Sequence, residues 1–246
     1  MSDLTAAAPR MAMVLAAGRG ERMRPLTDKR PKPLIEVGGK ALIDDALDRL
    51  AAAGVEQAVV NLSGYGSMLE RHLKTRRTPR IVISREAEPL DTGGGVAGAL
   101  KALGERPFFV ANADVLWRDR KDNALARLAA RWDERAMDAL LVLVPRARAR
   151  GYEGPGDFFL EPDGRLRRRA GDEVAPNVFA GLQMLRPELF TGCPGGKFSL
   201  NLLYDRAARA ERLYGLVHAG DWFHVGTPAA LAEARRLHAS ESATHG

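Results

Sequence analysis

Short apolar runs alternate with segments of helical periodicity over the first 150 residues of the chain. An apolar run that stops at a turn residue predicts a buried strand, and apolar residues at every third or fourth position predict a helix. The predicted strands cover residues 11–17, 57–62, 80–84, 107–111 and 139–144. The predicted helices cover residues 42–53, 67–74, 96–103 and 124–135. This alternation is typical of a three-layer α/β domain with a mixed, mainly parallel sheet.

The pattern changes after residue 150, where short β-like segments are separated by turns. These segments, at residues 157–160, 165–168 and 178–185, predict a small inserted β lobe within residues 151–198. Two closing helices are predicted at residues 200–210 and 228–237. We therefore expect a flexible arm over residues 1–10, a single domain over residues 11–240 and a tail over residues 241–246. The arm has no long apolar run and does not resemble a secretory signal.

Composition and charge narrow the choice of partners. With 46% hydrophobic and 28% charged residues among 246, the chain has the composition of a soluble globular protein. The net charge is +6, but the basic residues are dispersed and lack interleaved aromatic residues, so no nucleic-acid partner is expected. No run approaches the roughly 20 apolar residues of a membrane helix. The one cysteine, Cys193, excludes an intrachain disulfide and favours a cytoplasmic location.

The densest candidate chemistry lies in the loop over residues 15–27, after the first predicted strand. Gly18 and Gly20 allow the backbone to approach a ligand closely, and consecutive N–H groups in such a loop suit a triphosphate. Arg22 is expected to reach the phosphates. Lys32 follows between two prolines, which restrict the backbone and hold its ammonium group near the loop. A glycine-arginine loop alone is equally typical of a solvated turn.

Two further loops are predicted at the same edge of the sheet, because the carboxyl ends of parallel strands gather there. Residues 88–95 place three glycines before a predicted helix, whose open N–H groups would suit a nucleotide; a plain helix start is the alternative. Asp114 follows a buried strand, and its carboxylate is suited to Mg²⁺, a hard cation. A helix-capping aspartate is the alternative there.

Together these motifs resemble the signature of the sugar-phosphate nucleotidylyltransferases. The resemblance rests on residues 15–34, 88–95, 156–158 and 222–227, covers residues 11–237, and is to the short bacterial N-acetylmuramate α-1-phosphate uridylyltransferases of cell-wall recycling in particular. It implies a Rossmann-like fold and a reaction that joins an NTP to a sugar 1-phosphate and releases pyrophosphate. UTP and N-acetylmuramate α-1-phosphate are the substrates it favours, with Mg²⁺ or Mn²⁺ as the metal.

The resemblance also assigns site residues. The expected catalytic residues are Arg22, Lys32 and Asp114. The expected nucleotide contacts are Leu15, Ala16, Ala17, Gly18, Gly20, Glu88, Thr92 and Gly93. The expected sugar contacts are Asn112, Gly156, Asp157, Asn177 and Lys197, the last as a partner for a lactyl carboxylate.

The chain departs from the family at one metal ligand. The family has Trp-x-Asp-Val-Gly-Thr where this chain has residues 222–227, with His224 in place of the aspartate. Neutral imidazole is a poorer ligand for Mg²⁺ than a carboxylate. His224 is therefore open to three interpretations: a metal ligand with Asp114, a phosphate contact, or a hydrogen-bond partner of a metal-bound water.

Other functions stay open on the sequence. A mannose-1-phosphate guanylyltransferase is the alternative within the class, and a phosphocholine cytidylyltransferase is a third possibility for which the sequence indicates no aromatic cage. A catalytically silent nucleotide-binding regulator is the alternative outside it. The sequence gives no indication of the oligomeric state.

Overall fold

The structure is a computed structural model that describes residues 8–64, 66–119 and 123–244. Residues 1–7 of the predicted arm and residues 245–246 of the predicted tail lie outside the described residues. Within those described ranges, no helix has both the length and the apolar character needed to cross a membrane.

Thirteen strands and six helices are described. The first part of the chain contains β1 (Met11–Leu15), β2 (Glu36–Val37), β3 (Lys40–Ala41), α1 (Leu42–Ala52), β4 (Gln57–Leu62), α2 (Gly66–Leu73), β5 (Arg80–Arg85), α3 (Asp91–Leu103), β6 (Phe108–Asn112), β7 (Val115–Arg118) and α4 (Ala124–Arg131). The second part contains β8 (Ala139–Pro145), β9 (Phe158–Leu160), β10 (Leu166–Arg168), β11 (Asn177–Leu185), α5 (Asn201–Arg209), β12 (Leu213–Val217), β13 (Asp221–His224) and α6 (Pro228–Thr244).

Nine of these strands form one mixed sheet. Its order is β10-β9-β11-β6-β1-β4-β5, with β8 paired to β11 and β12 paired to β8. The pairings make β1, β4, β5, β6, β8, β9 and β12 run in one direction and β10 and β11 in the other. The predicted α/β fold with a mixed, mainly parallel sheet is therefore confirmed.

Helices cover both faces of the sheet. One core cluster includes Leu47 of α1, Leu69 of α2 and Leu128 of α4. The other includes Val96 of α3 and Leu203 of α5. Strands buried on both faces need largely apolar sequence; β8 has it throughout Ala139–Val144, and β4 has it apart from Gln57 and Asn61. This explains why their apolar runs could be identified from the sequence.

The inserted strands extend the main sheet instead of forming a separate one. β8 pairs with β11 along one side, at both Asn177 and Gln183, so β6 and β9 share its other side. β6 ends at Asn112, and β9 begins at Phe158 further along β11. Between them β11 has a bulge around Gly181, which has a φ of 75°. A gap therefore opens in the sheet between the end of β6 and the start of β9.

The prediction that three glycines precede the third helix is wrong, because α3 begins at Asp91 and contains them. The N–H groups of Gly93 and Gly94 donate to the carbonyl oxygen of Phe198 at 2.9 and 3.0 Å. A Cβ on Gly93 would lie 2.4 Å from the Phe198 ring. These glycines allow close packing of the helix start, which the helical periodicity of the sequence does not reveal.

Three features near the end of the chain were not predicted, the first of which is β12, paired with β8 at one edge of the main sheet. β13 pairs with β7 in a separate antiparallel ribbon, and α6 runs to Thr244, beyond the predicted end at Leu237. α6 covers a third core cluster that includes Met23, Phe223 and Leu231. The last helix is thereby packed against the loop after β1 and against β13.

Candidate active site

The loop after β1 forms one wall of a cavity of about 220 Å³ at the carboxyl edge of the sheet. We call it the first cavity; its wall includes residues 15–18, Lys32, Asn61, Glu86, Asp91, Thr92, Asn112 and Asp114. Apart from Lys32, which begins a short 3-10 helix, these positions lie at or just after strand ends or at the start of α3. The sheet topology therefore brings together three loops that are far apart in sequence, as expected.

A second cavity of about 360 Å³ occupies the gap between β6 and β9. Its wall includes Asn112, Asp114, Tyr152, Asp157, Arg168, Arg169, Phe179, Tyr204, Trp222 and His224. The sequence indicated no cluster of aromatic residues, but the fold brings five aromatic residues from different segments to this cavity: Tyr152, Phe158, Phe179, Tyr204 and Trp222. Their positions depend on chain folding and not on spacing along the sequence.

Asn112 and Asp114 line both cavities and form the wall between them. Asn112 is the last residue of β6, and the bulge in β11 lies beside it: a Cβ on Gly181 would come within 3.1 Å of the Asn112 Cβ. The bulge is held by Trp222, whose Nε1–H donates to the carbonyl oxygen of Ala180 at 2.8 Å. A ligand in either cavity can therefore reach the same two side chains.

Lys32 lies at this shared wall. Its Nζ donates to Asp114 Oδ2 at 2.7 Å, and its side chain is 10% exposed against 31% for Asp114. Lys32 begins a short 3-10 helix, Lys32–Leu34, in which the N–H of Leu34 donates to the carbonyl oxygen of Pro31 at 3.0 Å. The proline-flanked segment is thus rigid and mostly buried, and it directs one ammonium group to the wall.

The β7–β13 ribbon carries His224 to the same carboxylate. His224 pairs with Val115, the N–H of Val225 donates to the Asp114 carbonyl oxygen at 3.0 Å, and His224 Nε2 lies 3.6 Å from Asp114 Oδ2. The imidazole stacks on the Trp222 ring with an interplanar angle of 19°. A Cβ on Gly226 would come within 2.6 Å of the imidazole, so glycine leaves the space that the ring occupies.

The surroundings of Asp114 keep it anionic. Burial raises the pKa of Asp114, but the nearby imidazole of His224 and the charge and hydrogen bond of Lys32 outweigh it and hold this pKa well below its usual range. Asp114 is therefore a carboxylate at neutral pH, and its negative charge is balanced by neighbouring cationic and hydrogen-bonding groups.

The wall offers one hard ligand to the Mg²⁺ that the sequence predicts. Among the described residues, no group of three or more His, Cys, Asp or Glu side chains could hold a metal ion. Asp114 offers one hard carboxylate, and Asn112 and His224 lie beside it. In nucleotide sites Mg²⁺ is commonly held by one or two carboxylates, with phosphate oxygens and water in the remaining positions. Asp114 satisfies that requirement, with His224 as the neighbouring nitrogen donor.

A buried polar chain that the sequence analysis missed connects two loops of the first cavity. The N–H of Ala16 donates to Asn61 Oδ1 at 2.7 Å, Asn61 Nδ2 donates to Glu86 Oε1 at 2.7 Å, and the N–H of Leu90 donates to Glu86 Oε2 at 3.0 Å. Asn61 lies in the otherwise apolar β4, and Glu86 directly follows β5. A polar residue near the end of a buried strand was the signal that could have identified both.

The structure brings part of the predicted site together. The predicted residues that line one or both cavities are Leu15, Ala16, Ala17, Gly18, Lys32, Thr92, Asn112, Asp114, Asp157 and His224.

The remaining predicted residues do not line either cavity: Gly20, Arg22, Glu88, Gly93, Gly156, Asn177 and Lys197. Arg22, Glu88 and Lys197 are exposed. Gly20 and Gly156 have positive φ angles of 65° and 80°, which give them a role in backbone turns.

Comparison with known proteins identifies the family of the chain. Residues 11–153 match the nucleotidyl transferase family. The chain is 48% identical over 235 residues to an N-acetylmuramate alpha-1-phosphate uridylyltransferase of Caulobacter vibrioides, with 93% of this chain and 97% of the relative covered. It is 40% identical over 230 residues to the enzyme of that name from Neisseria meningitidis, with 92% and 97% covered.

The fold is also similar to a solved structure, UDP-glucose pyrophosphorylase complexed with UDP-glucose. The TM-score is 0.78, the sequence identity is 19%, and 94% of this chain and 99% of that one are covered. Identity at that level shows a common fold only. The family match and the two close relatives, taken together with the fold, show that the chain belongs to the nucleotidyl transferase family.

Proposed function

We propose that this protein transfers the uridylyl group of UTP to N-acetylmuramate α-1-phosphate, giving the UDP-sugar and pyrophosphate. The observation that carries the proposal is the wall of Asn112 and Asp114, with Lys32 bonded to it, between two cavities. An enzyme that transfers a group between two phosphorylated reactants has to bind both of them next to the same charged residues. The relatives with 48% and 40% identity are named for this reaction.

The reaction requires positioning and charge screening, not a protein base. An oxygen of the sugar phosphate forms a bond to the α-phosphorus of UTP, and the bond from that phosphorus to the bridging oxygen of the β-phosphate breaks. The nucleophile is already anionic, so no proton has to be removed. Holding two anions in line and screening their repulsion supplies most of the rate in such transfers.

Lys32 is the residue best placed for this screening. Its ammonium group has three donors and gives one to Asp114, so two are left for phosphoryl oxygens at the shared wall. Asp114 and His224 would hold Mg²⁺ or Mn²⁺, which when bound adds positive charge to the triphosphate. Arg22 stays a predicted phosphate contact, and its exposed position leaves its side chain free to turn towards a bound nucleotide.

Two further parts of the proposal concern biological context. A UDP-activated N-acetylmuramate is a precursor for cell-wall synthesis, so we assign the reaction to peptidoglycan recycling. UTP is supplied in the cytoplasm, and we place the enzyme there. Its partners in this proposal are the NTP and the sugar 1-phosphate.

Pyrophosphate release tests the proposal directly. Each of four NTPs is combined with N-acetylmuramate, N-acetylglucosamine, glucose and mannose 1-phosphates and with phosphocholine, first with Mg²⁺ and then with Mn²⁺. We expect the highest kcat/KM with UTP and N-acetylmuramate α-1-phosphate. Preference for GTP with mannose 1-phosphate, or for CTP with phosphocholine, would replace this function with another transferase. NTP binding without pyrophosphate release from any pair would indicate the silent regulator.

A further inference from the structure

Two arginines line the second cavity, and they differ in what they bind. Arg168 Nε and an Nη donate to the two carboxylate oxygens of Asp205 at 2.7 and 2.6 Å. A planar guanidinium that is paired in this bidentate way has its charge neutralised and its geometry fixed by the fold. Arg168 therefore serves to hold β10 against α5.

Arg169 is the cation of this cavity that is not committed to a carboxylate. It is half-buried, and one of its Nη–H groups donates to the carbonyl oxygen of Gly171 at 2.6 Å. Among the residues that the structure describes, no ion pair joins Arg169 to an acidic side chain. A guanidinium has five N–H donors, so a single carbonyl contact leaves most of them for a ligand.

Asp157 shares the cavity with Arg169 but is held by a different contact. The N–H of Phe179 donates to Asp157 Oδ2 at 2.8 Å, and the N–H of Arg169 donates to the Asp157 carbonyl oxygen at 2.9 Å. Asp157 and Arg169 thus lie side by side on the β9–β10 wall of the gap in the sheet. Asp114 lies on the opposite wall, after β6.

The proposed acceptor has two anionic groups that match these two walls. N-acetylmuramate 1-phosphate carries its phosphate on C1 and a lactyl ether, which ends in a carboxylate, on O3. In the proposed reaction the phosphate has to reach the shared wall of Asn112 and Asp114, because the first cavity, assigned to the NTP, opens there. In that orientation a lactyl carboxylate on the far side of the sugar would face the β9–β10 wall. Lys197, the predicted partner of this carboxylate, is exposed and does not line the cavity.

We propose that Arg169 binds the lactyl carboxylate and is a specificity-determining residue for acidic sugar 1-phosphates. The inference rests on the proposed function and adds a residue that makes the second cavity favour N-acetylmuramate over N-acetylglucosamine. Arginine suits the task, since its planar fork matches a carboxylate in bidentate geometry. The neighbouring Asp157 is an acceptor for sugar hydroxyl groups and disfavours a carboxylate placed elsewhere on that wall.

The test compares two acceptors that differ only in the lactyl group. KM and kcat are measured at saturating UTP for N-acetylmuramate α-1-phosphate and N-acetylglucosamine α-1-phosphate, in the wild type, Arg169→Gln and Arg169→Lys. Where N-acetylglucosamine 1-phosphate reacts too slowly, its inhibition constant against the other acceptor is measured instead. Arg169→Gln should raise KM for the N-acetylmuramate substrate about ten- to hundredfold, the usual effect of losing a charge-assisted hydrogen bond, with little change in kcat. Arg169→Lys should restore part of the loss.

Arg167→Gln is the matched control. It removes the same charge two positions earlier in the chain, where the side chain is exposed, pairs with Glu173 at 2.8 Å and stacks over the Phe159 ring. This variant should keep the wild-type preference between the two acceptors.

Three results would overturn the inference, and they are distinguishable. An unchanged preference in Arg169→Gln removes the role of Arg169 and leaves the proposed function intact. An equal loss with both acceptors would mean that Arg169 binds the phosphate or supports the cavity. Absence of wild-type activity with UTP and N-acetylmuramate 1-phosphate would refute the proposed function, and this inference with it.

Discussion

Lys32 and Asp114 form a partly buried ion pair on which the chemistry of the shared wall depends. Each residue satisfies the other in the free protein, so a substitution of one leaves the other without its partner in a site of restricted solvent access. The pair also carries charges that two phosphorylated reactants must meet. Single-residue changes here should therefore lower catalysis, and they should lower stability as well.

We expect Lys32→Met and Asp114→Asn each to lower kcat for pyrophosphate release by about a hundred- to a thousandfold, the range seen when one preorganised electrostatic contact is removed. Lys32→Met removes the ammonium group but keeps much of the apolar side chain, and Asp114→Asn keeps the shape of the carboxylate. Lys101→Met, an exposed position on α3, is the control for loss of one positive charge. Wild-type turnover in Lys32→Met would contradict the role given to this residue.

At the scale of the element, α3 contains one glycine where a side chain would clash and another where a side chain would fit. A Cβ on Gly95 would lie 2.8 Å from Asn61 Nδ2 and 2.9 Å from Glu86 Oε1, so this glycine makes room for the buried polar chain between two loops. Gly98 is exposed, and a Cβ there would be 3.9 Å from the nearest atom outside the helix, in the Leu90 side chain. The same substitution at these positions should therefore have opposite effects.

Gly95→Ala should lower the melting temperature and raise KM for UTP, because displacement of Asn61 or Glu86 leaves buried donors without acceptors, at about 1–3 kcal/mol each. Gly98→Ala should raise the melting temperature slightly, since alanine is favoured over glycine in a helix interior by about 0.5–1 kcal/mol. Thermal unfolding and nucleotide kinetics of the two variants test this. Equal melting temperatures would refute the packing argument.

The elements of this fold differed in how far the sequence could predict them. β8 and most of β4 are apolar because both faces of these strands are buried, and the sequence predicted both strands within a residue of their ends. β13 carries one polar residue at each end and depends on pairing with β7, so its sequence has no strand signal of its own. In the site, Lys32 and Asp114 could be predicted from motifs. Arg169 could not, because only the pairing of β9 with β10 and β11 brings it to the cavity.

At the scale of the whole molecule, the buried polar residue His218 links the stability of the fold to pH. His218 follows β12 and is 3% exposed, and its backbone N–H donates to the carbonyl oxygen of Leu143 at 2.7 Å. Burial lowers the pKa of His218 below its usual value. The unfolded chain therefore binds a proton at a higher pH than the folded protein does. Stability from this group is fully present above the unfolded pKa and is lost as the pH falls through it.

The wild type should lose stability between pH 7.5 and pH 5.5, with this one group contributing at most about 1.4 kcal/mol per pH unit. His218→Gln cannot take up the proton and keeps a hydrogen-bonding side chain, so its stability should vary less over this interval. Urea unfolding of both proteins at several pH values measures the difference. Parallel pH profiles would show that His218 is not the group responsible.

The two cavities are lined by different parts of the chain, and this division has a consequence for the evolution and the engineering of the acceptor site. The described wall of the first cavity comes from residues 15–114. The described wall of the second cavity consists of Asn112, Asp114, Val115 and residues within 152–224. A gene duplicate could therefore accumulate substitutions in its later half and acquire a new acceptor while inheriting nucleotide activation unaltered. A laboratory library confined to that half would explore acceptors in the same way, with Asn112 and Asp114 as the two shared positions left untouched.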